Sequence, residues 1–111
     1  MKICDDVLKA IRQSFPEKDV NQVISEFTNA LGDGGDRLQF AILILAEGDI
    51  QKFPKNRTLR NFLLDFRETL SSAGMANADW PDVVVAKGLA DENWRQRTIE
   101  QFGKYHNPRP K

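Results

Sequence analysis

The sequence predicts an all-α protein, a compact irregular bundle of five or six helices around a buried central helix at about residues 36–47. Three observations carry that expectation. The ten positions from Leu38 to Glu47 hold only two polar residues, Gln39 and Glu47. That run is short of the about 20 apolar residues a bilayer crossing needs, and too uniformly apolar for a helix with one face in water. The flanking segments repeat apolar residues at helical spacing between Gly, Pro and Asp punctuation. The strand-like run Val83-Val-Val-Ala86 has no second run to pair with, which argues against a sheet.

Each element has its own signal. Ile3, Val7, Leu8, Ile11 and Phe15 form a first stripe, with Asp5 and Asp6 at the positive end of a helix dipole. Ser14-Phe-Pro-Glu17 reads as a break followed by a capping box, with Ser14 as cap and Pro16 in the first turn. Val20, Val23, Ile24, Phe27 and Leu31 make the stripe of a helix over 16–31, stopped at Gly32-Asp-Gly-Gly-Asp36. Asp36 is placed to cap the central helix and Gly48 to end it. Asp49-Ile-Gln-Lys-Phe53 has room for one turn before Pro54.

Leu59, Phe62, Leu63, Phe66 and Leu70 then predict an amphipathic helix over 58–73, closed by Gly74. This helix and helix 16–31 are expected to pack on the central one. Asp79-Trp-Pro-Asp82 opens a further helix that stops at Gly88. Asp91 caps a last one carrying Trp94, Ile99 and Phe102 and ending at Gly103. One domain over 1–103 is expected, with 104–111 as a basic, proline-broken, loosely ordered tail.

The charges bound the function. Sixteen bases balance sixteen acids, so there is no general attraction to nucleic acid or membrane. The balance conceals an asymmetry: residues 1–50 carry five bases and nine acids, net −4, and residues 51–111 eleven bases and seven acids, net +4. Cys4 is the single cysteine, which excludes an internal disulfide and fits a reducing cytosol. No apolar signal region or lipoprotein leader precedes it, and a cytoplasmic location is expected.

Catalysis finds little to work with. Cys4 beside two acids is a poor thiolate, and the single histidine, His106, lies in the tail. One Cys and one His cannot make a zinc site. The carboxylate pairs Asp33/Asp36, Glu47/Asp49 and Asp79/Asp82 each read as caps or first-turn acids beside Gly or Pro. Gly32, Gly34 and Gly35 lack the Lys-Ser/Thr of a phosphate loop. No enzyme activity, cofactor or metal is expected. The unit Val83–Phe102 has the length of a helix-turn-helix, but that register sets Lys87 and Arg97 at positions that should be buried.

Leu43-Ile-Leu-Ala-Glu-Gly-Asp-Ile50, Ala78-Asp-Trp-Pro-Asp-Val-Val-Val-Ala-Lys-Gly-Leu89 and Trp94-Arg95 together resemble small uncharacterised bacterial helical proteins. In those a Leu-x-Leu-x-x-Gly-Asp helix end is followed by a segment opening Asp-Trp/Tyr-Arg-Asp-Val. The resemblance covers about a third of the chain. Pro81 stands where that pattern has Arg, and the intervening amphipathic helix makes the chain longer. It implies a small all-α fold and carries no activity with it.

The function expected is a small cytoplasmic protein-binding or inhibitory module, acting through one protein partner as an immunity protein, antitoxin or phage modulator does. Its expected partner-binding residues are Trp80, Arg57, Arg60 and Arg67, because Trp and Arg concentrate at interface hot spots. Trp80 has a second reading, as a staple or lid on the core. The alternative function is nucleic-acid binding through the basic segment 52–67. There Lys52, Lys55, Arg57, Arg60 and Arg67 face the single acid Asp65, net +4 around a helix N-terminus. These bases could equally form a solvated face paired with the acidic first half.

Overall fold

The computed structural model of the chain describes residues 3–29 and 35–106, with the side chains of all of these except 56, 57 and 102–106. Among the described residues the protein is all-α, with seven helices and no strand. They are α1 (Asp5–Ser14), α2 (Glu17–Asn29), α3 (Gly35–Ala46), α4 (Asn56–Leu64), α5 (Phe66–Ser72), α6 (Trp80–Ala86) and α7 (Glu92–His106). The count exceeds the expected five or six because the helix expected over 58–73 is broken at Asp65 into α4 and α5.

The core is built on α3. Leu38, Phe40, Ala41, Ile42, Leu43 and Ala46 are buried, and so is Gln39, so the helix meets protein on nearly every side. Each large side chain taken out of water there contributes roughly 1.5–3 kcal/mol. The principal neighbours of α3 are α1 and α5. The sequence reading put helix 16–31 against α3 directly; α2 instead packs chiefly on α1. It joins the core through Phe27, whose ring meets Phe53 edge-on at 5.3 Å, while Phe53 meets Phe15 at 6.0 Å. Both α1 and α2 carry one apolar stripe, and stripes alone do not say which of two such helices lies inside.

Helix ends follow local chemistry, with three corrections. Ser14 is the last residue of α1, so it keeps helical geometry and cannot also cap α2. The Pro16 carbonyl opens α2 instead, accepting from the Asp19 N–H at 2.8 Å. Asp36 lies inside the first turn of α3, which starts one residue earlier at Gly35. Helix α7 runs through Gly103 to His106. The expected stop at Gly32, and Asp33, fall outside the described residues, as does the tail beyond His106.

Other ends match their signals. Gly88 has φ +77°, and the paired bonds Gly88 N–H to Val85 O (2.9 Å) and Leu89 N–H to Val84 O (3.1 Å) close α6. The Asp91 carboxylate caps α7 by accepting from the Trp94 N–H at 2.9 Å. Val83–Ala86 is helical, within α6.

Candidate protein-docking face at the α4–α5 elbow

The break at Asp65 sets the surface of this part of the molecule. Asp65 has φ −99° and ψ +60°, outside the helical region, and neither Gly nor Pro stands near it. In an unbroken helix the Phe62 carbonyl would accept from the Phe66 N–H. Here the Thr69 hydroxyl donates to Phe62 O at 2.8 Å, with Asp65 O also in reach at 3.1 Å. A threonine hydroxyl that bonds nearby carbonyls competes with the helix ladder and favours such a bend.

The break re-aims the apolar stripe. Leu59, Leu70 and Ala73 stay buried, while Leu64 is 70% exposed and Phe66 50%. Phe66 was expected on the inward stripe and faces water because α5 starts anew after Asp65. Leu64 lies off that stripe, which is the signal by which the sequence could have marked an apolar side chain left outside.

Arg60 and Arg67 are exposed on α4 and α5 respectively, so the elbow intervenes in the seven-residue spacing that would have set them on one helix side. Neither forms an ion pair among the described residues; the same holds for their exposed neighbours Asp65 and Glu68. The side chain of Arg57 lies outside the described residues. Lys52 is engaged: its ammonium meets Glu47 Oε1 at 2.5 Å. The bond and charge of Lys52, with Lys87 adding, hold the Glu47 carboxyl below the usual range, and Glu47 in turn raises Lys52.

Trp80 is not part of this surface. It is buried, its ring 5.9 Å from that of Trp94, which in turn meets Phe40 at 5.1 Å. The Arg37 guanidinium covers the Trp80 ring at 5.4 Å and donates through Nε and Nη2 to the Met75 carbonyl, at 3.1 and 2.7 Å. Desolvation in that position lowers the Arg37 pKa. This burial fits the core-lid reading of Trp80.

The remaining candidates have internal roles. On α7, Arg95 binds Asp82 and, at 2.8 Å, Glu92, and Arg97 reaches Asp6 at 3.5 Å. Arg95 and Arg97 of the helix-turn-helix candidate are therefore engaged with carboxylates of the same chain. Asp49 Oδ1 accepts from the Gln51 N–H at 2.9 Å; Asp79 stands at the N-cap of α6, but its side chain makes no capping bond, contrary to the cap expected there. Burial, then Asp36, pushes the Cys4 thiol up, away from thiolate chemistry. The side chain of His106 is outside the described residues. No group of three metal-binding side chains occurs among the described residues, and no helix there is long and apolar enough to cross a membrane.

An open hollow of about 350 Å³ lies between the end of α3 and the α6–α7 turn, floored by Leu43 and Leu89 and rimmed by Glu47 and Lys87. Glu47 is already bonded to Lys52, so the hollow presents no free acid. Comparison with protein-family models, with curated proteins and with solved structures gave no match.

Proposed function

We propose that this chain is a small protein-binding module, inhibitory or modulatory in effect, that docks one protein partner through the α4–α5 elbow and carries out no chemistry of its own. The observation that supports this reading is the placement of Leu64 and Phe66 in water beside Arg60 and Arg67, which have no acidic partner among the described residues. Exposed apolar side chains rimmed by arginines are what interface centres are made of. The nucleic-acid alternative has less behind it, since Lys52 is paired with Glu47 and the remaining bases are spread over Lys55 ahead of α4, Arg57 and Arg60 in α4, and Arg67 in α5. A reducing, cytoplasmic setting is part of the proposal, on the ground of the single free Cys4.

The test is co-purification at native expression with mass spectrometry, comparing the parent chain with Leu64→Ser/Phe66→Ser. The reading expects a protein retained by the parent and lost by the variant while their melting curves coincide. Identical retention by both, or retention abolished by nuclease, overturns it.

A further inference from the structure

We propose that a trench between α1 and the α6–α7 turn binds a short acidic peptide in extended form, with one carboxylate on Lys87 and another on Lys9. The hollow over Leu43 and Leu89 has a neighbour of about 170 Å³, lined by Lys9 and Gln13 of α1 and by Leu89 and Ala90 of the turn. The two share Leu89, and consecutive residues line them on both walls: Gln13 and Ser14 on α1, Lys87 and Gly88 on the turn. They are the two ends of one trench that follows α1 from Asp6 to Ser14. That stretch of helix measures about 12 Å, which an extended chain of about four residues spans. None of the lining residues belongs to α4 or α5, so the site is separate from the elbow.

Charge decides what fits. Three acids line the trench, and each is engaged within the chain: Asp6 with Arg97, Glu47 with Lys52, and Asp91 with the Trp94 N–H. Lys9 and Lys87 form no ion pair among the described residues and act on Asp91 and Glu47 only through charge at longer range. The trench therefore offers two uncommitted ammonium groups, one at each hollow, and they call for two anionic groups. Between them Leu43, Leu89 and Ala90 call for aliphatic side chains. The Gln13 amide and the Ala90 N–H have no hydrogen-bond partner among the described residues. They match the carbonyls and N–H groups of a peptide backbone, which a simple dicarboxylate lacks.

Amide NMR titration of the full chain with the peptide acetyl-Glu-Leu-Leu-Glu-amide tests this, because it detects millimolar binding and locates it. The signals that move should be those of residues 9–14, 43–48 and 87–91. Lys9→Gln and Lys87→Gln should each weaken binding roughly two- to fivefold, the worth of one exposed ion pair. The neutral peptide acetyl-Gln-Leu-Leu-Gln-amide should bind more weakly than either variant binds the acidic one. Both lysines are exposed, so the variants should melt with the parent. Added salt should weaken the acidic peptide and leave the neutral one unchanged.

No response at tens of millimolar peptide, equal affinity for the neutral peptide, or shifts scattered over the lysines of the surface would overturn the proposal. Glutarate that reproduces the same shifts at the same concentration would show that the backbone plays no part and would overturn the peptide assignment. The elbow is kept apart by its own variant: Leu64→Ser/Phe66→Ser should bind the acidic peptide as the parent does. If that variant loses the peptide, the site is not the trench.

Discussion

The Thr69 hydroxyl donates a 2.8 Å hydrogen bond to the Phe62 carbonyl, across the break that separates α4 from α5. Thr69 is buried, so the bond is made out of water. Replacing it by valine keeps the volume and removes the donor, leaving a carbonyl that the broken helix ladder no longer serves. Thr69→Val should cost about 1–2 kcal/mol in urea denaturation. A variant as stable as the parent would show that the break does not depend on this bond.

The same break separates apolar positions that the sequence alone treats as equivalent. Leu70 is buried against α3 and Phe66 is half in water, although both belong to one helical stripe. Leu70→Ala should therefore cost about 2–4 kcal/mol, and Phe66→Ser about 0.5 kcal/mol or less. Equal losses at the two positions would mean a continuous helix over 58–73 in place of the elbow.

Gly48 ends α3 against the end of α1. Its φ is +72°, and a Cβ placed there would sit 2.5 Å from the Ser14 carbonyl oxygen, a backbone atom. Gly88 has a similar φ, +77°, but open space where its Cβ would be. Alanine at 88 should carry only the left-handed strain, about 1–2 kcal/mol. Gly48→Ala adds the displacement of α1 and should lose clearly more. Comparable thermal shifts in the two variants would remove the close approach of α1 from the account of this turn.

Leu43 is 2% exposed in the helix that most of the core surrounds. Leu43→Asp places an unpaired carboxylate there, at a cost of several kcal/mol against a typical domain stability of about 5–15. The expected outcome is loss of the cooperative melt in far-ultraviolet circular dichroism. A variant that melts like the parent would contradict the central position of α3.

These contrasts show which parts of the fold could be read in advance. Helix α3 was legible because an apolar run of its length has only a buried helix to become, and Gly88 and Asp91 act through bonds within one or two turns. The break at Asp65 was not legible. No Gly or Pro marks it; it is accompanied by the Thr69 hydroxyl bond to the Phe62 carbonyl and by the packing of α5 on α3, a tertiary condition. The exposure of Phe66 was obscured for the same reason, since it reads as inward on any unbroken helix. Trp80 had two readings beside its helix start, and the choice between them came from Arg37 and Trp94, distant in sequence.

The carboxylates give a prediction in pH. Glu47 is held below the usual carboxyl range by the bond and charge of Lys52, and Asp91 by the Trp94 N–H. A folded-state pKa below the unfolded one contributes stability that is present above the unfolded value and lost as pH falls through the folded one. Both groups therefore act on the acid limb of the stability curve. Lys52, raised by Glu47, contributes below the ordinary lysine value and loses that contribution as pH rises through its folded one. The Glu47–Lys52 pair is thus intact and flat across neutral pH, and being exposed it should weaken with added salt. Carboxyl-carbon NMR titration resolves the two acids. Lys52→Met should return Glu47 toward an ordinary glutamate and leave Asp91 low, because one carboxylate depends on a side chain and the other on a helix N-terminus. If Asp91 moves with Glu47, or Glu47 stays low without Lys52, these are not the groups that set the two values.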